Sequence, residues 1–187
     1  MGIDFIKLSR VISHALRHEP WLYELEIDGE GWTSIDTLII ALRIQDDHWK
    51  NLSDNDLMMM IDRSDKQRHE IANGRIRALY GHSTSEKLQK SEAVPPEVLF
   101  HGTSPGVANL IKSEGLKPMK RQYIHLSSNP EIAYQVGQRK AKSPVILTIE
   151  SGKAHNHNIK FYQGNKVVWL ADYIPPQFIF AEIENLT

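Results

Sequence analysis

Residues 68–80 read RHEIANGRIRALY. Two short alternating runs flank Asn73-Gly74, and both residues of that dipeptide tolerate the positive φ that a two-residue hairpin turn demands. The stretch predicts a two-stranded antiparallel hairpin, and the segments before it read as helices. From Ile3 to Leu16 the residues Ile3, Phe5, Ile6, Leu8, Val11, Ile12, Ala15 and Leu16 recur at helical spacing, while Ser9, Arg10, Ser13 and Arg17 fall on the other face. Pro20 ends this helix by disfavouring helical geometry at Glu19. After a turn at Gly29 and Gly31, Thr33 is expected to cap a second helix, with Asp36 three positions on. Ser53 caps a third in the same way, with Asp56. Met58, Met59 and Met60 within it read as core filler or as a soft groove.

Three helices followed by a two-stranded hairpin is similar to a winged helix, a relative of helix-turn-helix folds that bind nucleic acid. Residues 83–97, STSEKLQKSEAVPPE, are polar and end in Pro95-Pro96, and read as a tether. The boundary is placed there, with one lobe over 1–92 and a second over 93–187. The second half is strand-rich: Val98–Phe100, Tyr123–Leu126, Val145–Ile149, Val167–Leu170 and Phe178–Ile183 are apolar or β-branched runs, and Gly164-Asn165 turns a hairpin after Phe161. A helix through Val107–Ile111 stops at Gly115, and Pro130 opens another. The fold class expected is α+β.

The chain has 187 residues, 41% of them hydrophobic and 24% charged, enough apolar material for packed cores. It holds no Cys, which excludes a disulfide scaffold, a thiolate zinc site and a Cys nucleophile. No apolar run approaches the ~18 residues of a membrane span, and MGIDFIKLSR lacks the pattern of a signal peptide, so a cytoplasmic protein is expected. The net charge of −1 conceals segregation. Residues 19–62 carry eleven acids against Arg43 and Lys50. Residues 63–77 carry five bases against Asp65 and Glu70, and residues 112–142 carry seven against Glu114 and Glu131. Such basic stretches are either solvated faces or foci for an anion such as phosphate.

Several small constellations carry chemistry. Arg17-His18 at the exit of the first helix offers a phosphate fork beside a proton-handling group, or merely complements the helix dipole, an effect of at most ~1 kcal/mol. His14 and His18, four apart, mimic half a zinc site, but neither they nor His155 and His157, read as a polar turn, have a third ligand, and no metal is expected. His101-Gly102-Thr103 ends a strand with hydrogen-bonding groups around a glycine that would let a ligand approach the backbone. Arg121, Tyr123 and His125 would share one face of an extended strand. Neither a Rossmann glycine pattern nor a Walker A motif occurs.

In order, LSRVISHALRHEP, GWTSIDTLI, SDKQRHEI–NG–RIRALYGHS, LFHGT, IKSEGLKP, RQYIHLS and VILTIE resemble the RNA 2′-phosphotransferase family, over about Leu8 to Ile183. The resemblance implies a winged-helix RNA-binding lobe followed by an ADP-ribosyltransferase-like lobe that binds NAD⁺ as co-substrate, in a monomer without metal. Its activity removes an internal 2′-phosphate from RNA, of the kind left at tRNA splice junctions. In the first step the phosphate attacks the anomeric carbon of NAD⁺ and expels nicotinamide. The 2″-hydroxyl of the ADP-ribosylated RNA then attacks phosphorus, giving 2′-OH RNA and ADP-ribose 1″,2″-cyclic phosphate.

By that resemblance the catalytic Arg-His-Arg-Arg set falls on Arg17, His18, Arg68 and Arg121. The NAD⁺ contacts fall on His101, Gly102, Thr103, His125 and Ser127, with Gly115 and Leu116 near the adenine. RNA contacts fall on Lys66, Arg77, His82 and Ser83. Guanidiniums suit a charge-rich phosphorane, and His18 is the member that can move a proton near neutral pH. One departure is His69, where an aromatic usually follows the third catalytic position. If the ring packs against the sheet, the exchange is expected to loosen Arg68. Two alternatives remain at this point: a transferase that stops at ADP-ribosylation, of a nucleic-acid terminal phosphate or of protein, and a non-catalytic winged-helix protein.

Overall fold

In the computed structural model, which describes residues 2–182, the first helix, α1 (Phe5–Arg17), begins where the Asp4 carboxylate accepts hydrogen bonds from the Ile6 and Lys7 N–H groups at 2.9 and 3.0 Å. It buries Leu8, Ile12, Ala15 and Leu16. The helix stops at Arg17, short of Pro20, which instead opens a 3-10 turn over Pro20–Tyr23. Helices α2 (Ile35–Gln45) and α3 (Asp54–Asp62) follow, and Trp49, Leu38, Leu42, Leu57, Met60 and Ile76 meet in one core. Of the three methionines, Met60 is core filler, whereas Met58 is half exposed.

A strand that the sequence did not announce, β1 (Trp32–Ser34), lies between the Gly31 turn and α2. It pairs antiparallel with β3 (Arg75–Ala78), which also pairs with β2 (His69–Ala72), giving the order β1-β3-β2. Thr33 is therefore a buried strand residue and not a helix cap. The cap is Ser34, whose hydroxyl accepts from Thr37 N–H at 3.5 Å. Asp56 does act as expected, accepting from the Ser53 N–H at 2.9 Å. The hairpin turn has φ of 51° at Asn73 and 70° at Gly74, as its residue types foretold.

The chain divides into two compact units, one reaching to Gln89 and the other beginning at Lys90. The start of the polar stretch is not a loose tether: Leu88 is buried, and Gln89 N–H donates to the Gly29 carbonyl at 2.9 Å.

The second unit is built on a six-stranded sheet with every neighbouring pair antiparallel. Its order is β7 (Phe161–Gln163), β8 (Val168–Ala171), β5 (Ile124–Ser127), β4 (Leu99–Thr103), β6 (Val145–Ile149) and β9 (Ile179–Glu182). Ile183, the expected end of the last strand, lies outside the described residues. Helices α4 (Pro105–Glu114), α5 (Pro130–Gly137) and α6 (Ser151–Asn156) complete it. His155 sits in α6, so the polar turn expected there is a helix. Antiparallel sheets with separate helices make the protein α+β. No helix among the described residues is long and apolar enough to cross a membrane.

Helix α5 packs on β4 across Gly102. A Cβ there would lie 1.9 Å from the Ala133 carbonyl oxygen and 3.0 Å from the Gly137 nitrogen. The close approach that Gly102 permits on its Cβ side is thus that of a helix. Gly102→Ala is expected to destabilise the second unit by about 1–3 kcal/mol, the usual range for overpacking a rigid contact. Urea denaturation of the variant beside the wild type measures it.

Candidate active site

In the first unit, Ile6, Arg10, Ser13 and Arg17 follow one another at helical spacing along the stripe of α1 opposite its buried face. Together with Arg63, Lys66 and Arg68, from the end of α3 and the loop into β2, they line a cleft of about 680 Å³. Arg10, Arg17, Arg63, Lys66 and Arg68 face it with a single carboxylate, that of Asp65. A concave surface with such a surplus of cations concentrates anions.

The cations are held in place. Arg17 Nη2 donates to the Arg68 carbonyl at 3.3 Å, and its guanidinium lies 5.2 Å from the centre of the Tyr80 ring. Arg68 Nη1 reaches Ser64 Oγ at 3.4 Å. His18 caps α1 and lines the same cleft, and its Nδ1 is hydrogen-bonded to Ser83 Oγ at 2.8 Å. Ser83 N–H also donates to the Arg17 carbonyl at 3.0 Å. Arg17, His18, Lys66 and Arg68 are therefore brought together, and Ser83 stands behind His18 as its support.

Arg77 and His82 are placed differently. Arg77 pairs with Glu70 at 2.7 Å and lies over the Trp32 ring. His82 is buried beside Gly31. His69, where the resemblance expects an aromatic, is buried. Its Nε2 is hydrogen-bonded to Ser13 Oγ at 3.1 Å. Burial first, then the charges of Arg17 and Arg68, lower its pKa to about 3, so the ring is neutral at pH 7.

In the second unit the ladder between β4 and β5 is registered at Phe100↔Ser127. One residue further along β4, the side chain of His101 bonds across to β5, its Nδ1 donating to the His125 carbonyl at 2.9 Å. That bond fixes the tautomer with the proton on Nδ1, which makes Nε2 the acceptor. Burial is the main force lowering the His101 pKa to about 4; the carbonyl bond opposes it, and the charge of Lys140 adds to it. Arg121 does not share a strand face with Tyr123 and His125, because β5 begins only at Ile124. From the preceding loop its guanidinium nevertheless contacts the His125 ring. Tyr123 turns inward and meets the Tyr162 ring edge-on.

Thr103 is fully buried, and its Oγ1 has no hydrogen-bond partner among the described residues. Ser127 is buried opposite Val168. Gly115 has φ 83°, and a Cβ on it would lie 2.6 Å from the Ile174 carbonyl oxygen; Leu116 is buried and bridges Ile174 through its backbone. Lys140 was not singled out by any motif. Its pKa is lowered by partial burial and then by the charge of Arg121, which marks it as a neighbour of that guanidinium.

A family model described as "RNA 2'-phosphotransferase, Tpt1 / KptA family" matches residues 4–173. The chain belongs to the RNA 2′-phosphotransferase family. It is 51% identical over 175 residues to a protein named "Probable RNA 2'-phosphotransferase" from Bacillus thuringiensis subsp. konkukian, covering 94% of each chain. It is 50% identical over 180 residues to a protein of the same name from Acetivibrio thermocellus, covering 96% of this chain and 98% of the relative. A third, from Pyrococcus horikoshii, is 38% identical over 169 residues, covering 90% and 94%. In this family member the cleft with Arg17, His18 and Arg68 and the β4–β5 junction with His101 fall in different units.

The neutral histidines give the fold an acid limit. Unfolded, each takes up a proton near pH 6.5; folded, His69 does so near 3 and His101 near 4. Below pH 6.5 the unfolded chain therefore binds more protons, and stability falls as the pH falls. The slope is about 1.4 kcal/mol per pH unit for each histidine, or about 2 kcal/mol each at pH 5. Urea denaturation at pH 7 and pH 5 should show a smaller loss for His69→Phe than for the wild type.

Proposed function

We propose that this protein removes the 2′-phosphate of an RNA by transferring it to NAD⁺, through an ADP-ribosylated RNA, releasing nicotinamide and ADP-ribose 1″,2″-cyclic phosphate. The observation that carries the reading is the cleft in which Arg17, His18 and Arg68 meet around a surplus of positive charge. With membership of the family, it supports a phosphate-handling site of the expected composition. The first unit reads as a winged-helix RNA-binding lobe and the second as an ADP-ribosyltransferase-like lobe.

The second unit's residues fit NAD⁺ as a substrate. His101 is neutral, with Nδ1–H tied to a carbonyl, so Nε2 suits a ribose hydroxyl as an acceptor. Arg121 and Lys140 supply cations suited to a diphosphate or to the phosphate in transfer. In the first step the 2′-phosphate oxygen bonds to the anomeric carbon as nicotinamide leaves with the bond's electron pair. That nucleophile is already an anion, so positioning matters more than a base. In the second step the 2″-hydroxyl oxygen bonds to phosphorus and the RNA 2′-oxygen leaves. Arg17, Arg68 and Arg121 are assigned to the charge that builds on the phosphoryl oxygens, and His18, steadied by Ser83, to the proton passed between the two hydroxyl oxygens.

Incubation of a 2′-phosphorylated oligoribonucleotide with the protein and NAD⁺ tests the reading. Expected are nicotinamide release and a 2′-OH product; neither appearing would refute it. Arg68→Ala should slow the second step more than the first, by ~2.7–4 kcal/mol by analogy with loss of one oxyanion donor. Rapid-quench separation of the three RNA species should then show ADP-ribosylated RNA building up. A variant that blocks nicotinamide release with no such build-up would instead assign Arg68 to positioning the incoming phosphate.

A further inference from the structure

The cleft of the first unit extends well past the residues that the proposed reaction uses. Its reactive end, at Arg17 and Arg68, is twelve residues of helix from its other end at Phe5, about 18 Å at 1.5 Å per residue. That is several times the roughly 3.4 Å axial spacing of successive phosphates along one stacked strand. The distal end has its own chemistry. Arg10, on α1, and Arg63, at the end of α3, are exposed cations, and the Arg63 guanidinium lies 5.2 Å from the centre of the half-buried Phe5 ring. Phe5 packs against the core and so anchors the guanidinium from one side. Ile6 stands 68% exposed on α1, an apolar surface outside the core. The carboxylates facing this end are few: Asp65 lines the cleft, and Asp4, the helix cap, lies within reach of the Arg10 charge.

We propose that the Phe5–Arg10–Arg63 end of the cleft is a second nucleic-acid subsite, which holds a nucleotide about three positions along a single-stranded RNA from its 2′-phosphorylated residue, its base on the Arg63 guanidinium and its backbone phosphate on Arg10. An anchored planar cation is a stacking platform for any base, and a cation 7 residues up the same helical stripe from Arg17, about 10 Å away, is placed for a phosphate about three nucleotides along the strand. The proposal rests on RNA being the substrate, as inferred above. It adds that the enzyme reads the strand next to the modified nucleotide by shape and charge and not by sequence.

The test is fluorescence anisotropy with a labelled, single-stranded hexaribonucleotide carrying an internal 2′-phosphate, against a 2′-phosphorylated dinucleotide as competitor, over a range of salt. The wild type should bind the hexamer more tightly than the dinucleotide. Arg10→Ala should shrink that preference and lower the slope of log affinity against log salt by about 0.7, one single-strand phosphate contact. Arg63→Ala should weaken the hexamer by about 5- to 150-fold, the loss of one stacked base. Arg63→Lys, which keeps the charge and loses the plane, should keep the salt slope and lose most of that affinity. Circular dichroism of these exposed-site variants checks their fold.

A wild type without preference for the hexamer, or variants that keep it in full, would overturn the subsite. So would variants that lose the dinucleotide in equal measure. Because the readout is binding, hexamer preference in a protein that leaves NAD⁺ unconsumed would refute the proposed reaction and leave the subsite standing.

Discussion

The hydrogen bond from Arg17 Nη2 to the Arg68 carbonyl, 3.3 Å long, joins the last residue of α1 to the residue that leads into β2. That carbonyl also accepts from Leu79 N–H at 3.0 Å, so the strand's own pairing and the helix's guanidinium converge on one oxygen. Two supports flank it. Ser13 Oγ and His69 Nε2 bond one helical turn earlier, and Ser83 grips both the Arg17 carbonyl and the His18 ring. A helix end that would otherwise fray is fixed at three points, two at the start of the hairpin and one at Ser83 beyond it, and the side chains on it inherit that order.

This junction is assembled against electrostatic cost. Arg17 and Arg68 are like charges, and a protonated imidazole between them would add a third. His69 avoids this by staying neutral, and the same burial that keeps it neutral lets it act as a packing element. An anion in the cleft relieves the remaining repulsion, and so the cleft's charge is useful to a phosphate substrate and unhelpful to an empty protein. In the second unit His101 is neutral for the same leading reason, burial, with Lys140 in place of the two arginines.

Much of the fold was legible along the chain. Asn73-Gly74 announced its turn because few residues accept positive φ at two successive positions, and Ser53 with Asp56 announced a helix start because the orphan N–H groups there need local acceptors. β1 was not legible. Its three residues are too short for an alternating pattern, and they are a strand only because β3 offers an edge to pair with. Thr33 and Ser34 are equally good caps in isolation, and that pairing decided between them. The candidate site residues come from a family pattern, and the structure adds what surrounds them. Gly102 faces the α5 backbone with no room for a Cβ, and Ser83 Oγ is bonded to His18.

By itself, then, the sequence determined what is written in local backbone preference and periodicity: the helices, the hairpin turn, the strand-rich second half, and the identity of the charged and imidazole groups available for chemistry. Only the tertiary structure decided which of these groups meet, which histidines are neutral, and that the Arg10–Arg17 stripe faces Arg63 and Arg68 across one cleft. The physical reason is range. A turn or a cap is settled by atoms a few residues apart, whereas burial and a cleft's charge are sums over segments far apart in the chain.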